Sequence, residues 1–345
     1  MAHPLRRALV CLLLALLAFA APAAAAEKVR IALFSWPGYG FWFIAKEKNL
    51  APDLELDISI IEDPYESFGL MTAGKLDAAS STIEYGPIAA EAGNPIRMVS
   101  IANTSYGADK IILGPGVAQP TDLKGKKVAV LEGGLSQIYM GIWLEKNGLA
   151  FDDVTYVNLI ADDAAAAMIG GDVAAGEFWE PYGGQVLANL EGSRIVDQTN
   201  DPYWLESALI SDAVFMNADF ISQKPEVAKK TLKAYFDAVA FWMANPKEGN
   251  DIIAKALKFP LEDVVGVIGD EGHSAKGGLW VYSLDEAAAF MGVAKGDAPL
   301  GQSNGEVTDL WNLLSDWWLK FGLVKEKHPM EKGFDTTVIG AVATP

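Results

Sequence analysis

Met71-Thr72-Ala73-Gly74-Lys75-Leu76-Asp77-Ala78-Ala79 is echoed further along the chain by Met168-Ile169-Gly170-Gly171-Asp172-Val173-Ala174-Ala175-Gly176. Each stretch reads as a helix end, a glycine turn and a short strand of small residues. Each runs into a polar or aromatic cluster, Ser81-Thr82-Ile83-Glu84-Tyr85 in the first case and Trp179-Glu180-Pro181 in the second. An internal repeat of this kind, at matching places in two consecutive stretches, predicts two similarly wound α/β lobes.

The flanking sequence agrees. Val29 to Phe34 reads as a buried strand, broken by Trp36-Pro37-Gly38-Tyr39. A helix is predicted over 41–49, a strand over 56–61, a helix over 65–73, and strands over 77–81 and 96–101. The pattern then restarts. Lys126 to Leu131 forms a strand ended by Gly133-Gly134, and Ser136 is placed to cap a helix reaching Asn147, with Gly148 as its stop signal. Val154 to Leu159 is the next strand, 162–169 a helix and 173–178 a strand. Strands alternating with helices predict mostly parallel sheets covered on both faces. Beyond Ser211 the character turns helical, with candidates at 225–243, 250–257, 261–268, 284–291 and 307–321. Val227, Leu232, Tyr235, Phe236, Val239 and Trp242 share one face of the first of these, and Trp311, Trp317 and Trp318 read as packing residues.

The N-terminus reads as a secretory leader over residues 1–26: Arg6 and Arg7, an apolar run from Ala8 to Ala21, then Ala24-Ala25-Ala26 as a small-residue cleavage site. The expected location is therefore periplasmic. Cleavage after Ala26 leaves 319 residues, without Cys11, the sole cysteine of the chain. Disulfides, thiol catalysis and cysteine zinc sites are then excluded, and about two domains are expected from length. The net charge of −18 becomes −20 without the two arginines, which disfavours nucleic acid and anionic lipid as partners.

The motifs resemble those of the periplasmic solute-binding proteins of nitrate/sulfonate/taurine-type ABC importers. The resemblance rests on Ala73 to Ala78, Asp122-Leu123-Lys124-Gly125-Lys126-Lys127-Val128-Ala129-Val130, Gly171 to Ala175 leading to Trp179-Glu180-Pro181, and Lys224-Pro225-Glu226. It implies a two-lobed, type II-like periplasmic binding protein fold, with 27–112 and 213–345 as lobe 1 and 113–212 as lobe 2. The crossovers are then expected near Ile111–Gly114 and Leu209–Met216. It also implies a ligand in the inter-lobe cleft, closure around it, docking on a membrane permease and a monomeric state. No cofactor or metal is implied. A pyrimidine-forming enzyme of the thiamine pathway shares this fold, but its relatives use a cysteine-rich motif that the mature chain lacks. A periplasmic sensor subunit would use the same cleft.

In open α/β sheets, ligands bind beyond the carboxyl ends of strands. The candidates there are Trp36 and Tyr39; Thr82, Glu84 and Tyr85; Glu132, Ser136 and Gln137; and Trp179 with Glu180. Asp212, in the second crossover, completes the set. Gly133-Gly134 followed by Ser136 offers either an anion-binding turn or an ordinary helix cap. Trp36 and Tyr39 either cage a ligand or pack the lobe interface. These clusters contain no arginine but three glutamates, Glu84, Glu132 and Glu180. Carboxylates beside aromatic rings suit a cation, each cation–π contact contributing about 0.5–2 kcal/mol. The expected solute is thus a nitrogen-bearing cation (amine, guanidinium, amidine or aminopyrimidine) or a zwitterion such as taurine. A sulfonate or nitrate would instead rely on the Ser136 turn. The histidines His273 and His328 lie far along the chain from these clusters. Phosphate-loop and nucleophile-turn patterns are absent, so no catalytic site is expected.

Overall fold

The computed structural model describes residues 26–272 and 277–344. The leader as far as Ala25, with Cys11, and His273 lie outside the described residues. Two mixed sheets form the frame. The first has the order β11-β4-β10-β3-β1-β2, the second β7-β6-β8-β5-β9. The first comprises β1 (Glu27–Leu33), β2 (Leu54–Ile60), β3 (Ala78–Thr82), β4 (Ile96–Ser105), β10 (Ser211–Asn217) and β11 (Leu279–Val281). The second comprises β5 (Lys110–Leu113), β6 (Lys127–Val130), β7 (Thr155–Asn158), β8 (Ala175–Phe178) and β9 (Arg194–Gln198).

The echoed segments are equivalent βαβ units. In the first, Asp63 accepts a hydrogen bond from the Tyr65 backbone N–H at 2.8 Å and Pro64 pre-sets the first helical turn, so Pro64–Thr72 starts sharply. Gly74 takes φ +67°, which turns the chain into β3. In the second, Asp162 and Asp163 sit in the first turn of Ala161–Gly170, and Gly171 takes φ +81° before β8. Left-handed backbone of this kind disfavours any residue with a Cβ, which is why glycine marks both turns. β1 pairs parallel with β2 and β3, and β6 pairs parallel with β7 and β8. Both faces of β1 are covered: Val29, Ile31, Ala32 and Leu33 are all buried.

Beyond these triplets the expected mostly parallel order gives way. β10 is antiparallel to both β3 and β4, and β5 to both β8 and β9. Both strands are fed directly from the opposite sheet, without a crossover helix in their own, so nothing imposes the parallel direction there. The crossings also differ in place. They run through 106–109 and 199–210, so the boundaries expected at 112/113 and 212/213 fall inside β5 and β10. Ile111-Ile112-Leu113 is completely buried because it is a central strand, while the first crossing carries Gly107 and Asp109 and the second holds the short helix Pro202–Ser207. They are laced together. The Thr199 hydroxyl meets Ser105 Oγ at 2.6 Å and accepts from the Gly107 N–H at 2.9 Å, and Gln198 donates to the Gly107 carbonyl at 2.8 Å.

The helical third packs mainly on the first sheet. On Pro225–Ala244, Leu232, Tyr235, Phe236, Val239 and Trp242 are buried as expected, and Val227 is half-buried. Phe41 meets Tyr235 and Trp242 edge-on. Helix Val307–Phe321 buries Trp311 and Trp318 and leaves Trp317 half-buried. Its end reaches the second half, where Phe321 packs edge-on against Phe151 at 5.0 Å and Lys320 pairs with Glu145. No helix among the described residues is long and apolar enough to cross a membrane.

Candidate functional site

A cavity of about 600 Å³ lies between the two sheets, where strand ends from both converge. The first sheet supplies Trp36 after β1, Thr82 and Glu84 after β3, Asn103 from β4 and Asp212 from β10. The second supplies Asp109 ahead of β5, Glu132 and Ser136 after β6, and Glu177 and Trp179 at β8. Eight lining residues are carboxylates, and among the described residues none is lysine, arginine or histidine. Glu62, Asp63, Glu132 and Asp162 are exposed at the rim; Glu84, Asp109, Glu177 and Asp212 are buried.

The buried four are held in different ways. Asp212 accepts from Trp36 Nε1 at 2.9 Å and from the Tyr39 hydroxyl at 2.7 Å, one donor on each oxygen. Burial still lifts its pKa to about 7, with the Asp109 charge adding to the rise and the two donors opposing it. Glu84 is fully buried, and its Oε1 accepts from the Thr82 hydroxyl at 2.8 Å. Its Oε2 has no hydrogen-bond partner. Burial pushes this carboxyl up to about 8 and Asp212 adds to the shift, while Thr82 and the Leu135 backbone N–H work against it. Trp318 Nε1 donates to the Glu84 carbonyl at 2.8 Å and so fixes the backbone that carries the side chain. Across the cleft, burial raises Asp109 to about 6. Glu177 rises well above the carboxylate range through burial and then through its neighbour Asp109. Glu177 Oε1 is likewise without a partner.

Of the eleven candidates, the cavity wall contains Trp36, Thr82, Glu84 and Tyr85, together with Glu132, Ser136, Trp179 and Asp212. Three are not brought to it. Tyr39 is buried behind Asp212, as its hydrogen bond requires. Gln137 turns back to accept from the Gly133 N–H at 2.8 Å. Glu180 pairs with Lys110 and accepts from the Gly184 N–H at 2.9 Å, which spends its charge within the second half.

The turn after β6 is also closed by its own side chains. Ser136 is not the cap; Gly134 holds that position, and the Ser136 hydroxyl accepts from the Leu131 N–H at 2.7 Å. Asn158 takes the Glu132 N–H at 3.0 Å, and the Leu135 N–H faces Glu84 from the first half. The protein's own carboxylate thus stands where a ligand anion would meet this helix start. Tyr65 completes the contact between halves, its hydroxyl donating to the Gly133 carbonyl at 2.9 Å.

Asp109, Glu177 and Asn103 were not among the candidates. Glu177 carried a readable signal, a lone charge in the small and apolar run Ala174-Ala175-Gly176-Glu177-Phe178. Asp109 was masked by placing the crossover after it.

Residues 36–249, more than half of the chain, match the family described as NMT1/THI5 like. The chain belongs to this family. Two relatives are similar over more than half of the chain. A Brucella abortus (strain 2308) protein bearing the general name of a binding protein is 26% identical over 217 residues, 62% of this chain and 66% of the relative, just under two thirds of its length. The taurine-binding periplasmic protein of Escherichia coli (strain K12) is 26% identical over 211 residues, 59% of this chain and 62% of the relative. The crystal structure of the periplasmic aliphatic sulphonate binding protein SsuA from Escherichia coli superposes with a TM-score of 0.68. It covers 90% of this chain and 92% of SsuA at 19% identity, which shows a shared fold. The family assignment and this fold agree with the resemblance drawn from the motifs.

Proposed function

We propose that this chain is the extracytoplasmic solute-binding component of an ABC importer, and that its cleft takes a small, positively charged, nitrogen-bearing solute. The carrying observation is the wall of buried carboxylates, with no cation lining it among the described residues. A buried carboxylate without a counter-charge is costly, and a cation entering the cleft removes that cost. Trp36, Tyr85 and Trp179 add aromatic side chains to the same wall. The names of the relatives support a binding and import role, while the chemistry of this wall differs from what an anion needs. The Leu135 N–H, a natural partner for a sulfonate, already faces Glu84.

In this reading the two halves are lobes joined at the 106–109 and 199–210 crossings. A solute that touches Glu84 on one wall and Glu177 on the other binds the closed arrangement better than the open one, and so shifts the population towards it. The closed pair is then the form that a permease recognises.

A thermal-shift screen of the dialysed mature protein tests this. The panel contains amines, guanidinium compounds, aminopyrimidines, taurine, alkanesulfonates and nitrate. A cation at about 100 times its dissociation constant is expected to stabilise the fold by about 2.7 kcal/mol. Stabilisation by sulfonates or nitrate alone would overturn the cationic reading and leave the binding role in place.

A further inference from the structure

The donors and acceptors around the cavity do not balance. Several donors around it are already engaged: Trp36 and Tyr39 on Asp212, Thr82 on Glu84 Oε1, Tyr65 on the Gly133 carbonyl, and Lys110 on Glu180. Three buried side-chain atoms of the wall have no partner, namely Glu84 Oε2, Asn103 Oδ1 and Glu177 Oε1. Asn103 Oδ1 is an acceptor, and the two carboxyl oxygens become acceptors when their groups ionise. Buried polar atoms without a protein partner are satisfied by ordered water or by a bound group, and these three face one cavity from two sheets.

Their placement limits the group. Glu84 follows β3, and Asn103 lies in β4 on the first sheet, whereas Glu177 lies in β8 on the second. A ligand that serves all three must turn N–H groups towards both walls at once. A quaternary ammonium has none to offer, and a primary ammonium gathers its donors at one end. A guanidinium or amidinium spreads N–H groups around the edges of a flat cation, in the fork geometry that matches carboxylates. Its faces are left for the rings of the wall, of which Trp36 and Tyr85 belong to the first half and Trp179 to the second.

We propose that the cleft selects a solute bearing a guanidinium or amidinium group, whose N–H groups satisfy Glu84 Oε2 and Asn103 Oδ1 on one sheet and Glu177 Oε1 on the other. This rests on the cationic reading above and narrows it from charge to donor pattern.

Titration calorimetry with guanidinium, methylguanidinium, benzamidinium, methylammonium and tetramethylammonium tests it on the intact mature protein. At least one of the first three is expected to bind at least about tenfold more tightly than methylammonium and about a hundredfold more tightly than tetramethylammonium, since each unserved acceptor stays unpaired in the weaker complexes. Glu177→Gln, which keeps the shape of the side chain, is expected to reduce binding of the planar cation about tenfold and that of tetramethylammonium clearly less, since only the planar cation loses a hydrogen bond with the charge. Equal affinity for tetramethylammonium or methylammonium overturns the donor-pattern inference while the cationic reading stands. Binding of none of the five, or of anionic solutes only in the same cell, overturns both.

Discussion

β3 and β8 end alike in sequence and differently in space. Each follows a helix and a left-handed glycine, and each delivers a glutamate just past the strand, Glu84 in the first half and Glu180 in the second. Glu180 is half-buried and meets Lys110, so its charge is cancelled inside its own half. Glu84 is fully buried, faces the cavity and meets no cation. The repeated fold therefore builds one glutamate into the structure and leaves its counterpart for the cleft. Position in a repeat determines where a side chain emerges; the neighbours across the sheet determine what it does there.

Isosteric neutralisation should separate the two roles. Glu84→Gln is expected to weaken binding of a cationic solute by about a hundredfold, the range for breaking a hydrogen bond to a charged group. Glu180→Gln should leave affinity within about threefold but cost about 2 kcal/mol of stability, because Lys110 is left buried without its partner. Calorimetric titration and denaturant unfolding of both variants decide the matter; similar losses of affinity would break the contrast.

The ligand-free protein should also respond to pH through the first half. Glu84 at about 8 and Asp212 at about 7 sit above their unfolded values near 4.5 and 3.8. Groups raised in this way favour the folded state fully at pH below those unfolded values, and the contribution is lost as pH rises through 7 and 8. Among the described residues the titratable groups around Glu84 are Asp212 and the hydroxyls of Tyr39, Tyr65 and Tyr85, none of them a cation. The melting temperature is expected to fall by roughly 5 °C between pH 5 and pH 8.5, and by clearly less in Glu84→Gln. A fall of equal size in that variant would place the titrating groups elsewhere, in Asp212 or in the Asp109–Glu177 pair.

The smallest effect concerns the contact between halves. Tyr65→Phe removes the hydrogen bond to the Gly133 carbonyl and should lower solute affinity about fivefold, mainly through faster release. Stopped-flow dissociation would register it, and an unchanged release rate would mean that this bond does not hold the halves together.

The repeat, both glycine turns and the helices at 261–268 and 307–321 were legible because their signals are local: a left-handed glycine, an apolar face of period 3.6. Seven residues of the wall, among them Glu84 and Trp179, followed from strand ends. The crossings were not legible, since Ile111-Ile112-Leu113 has the same composition whether it joins two sheets or lies in one. Which charges end up paired was hidden for a related reason. Lys110 and Glu180 are seventy residues apart and meet only because β5 lies beside β8. β9 and β11 carry weak apolar patterns and take their strand form from their neighbours, Arg194–Gln198 from β5 and Leu279–Val281 from β4.

The buried wall has a consequence for electroneutrality. With no fixed cation lining the cleft among the described residues, Glu84, which burial pushes up to about 8, holds hydrogen as its counter-ion near neutral pH. Loading the cleft with a cation is then an exchange, one ion in and a proton out, much as on a weak-acid resin. The acidity of the surrounding medium becomes a competitor for the site, and a solute captured under mildly alkaline conditions is displaced as the medium turns acidic.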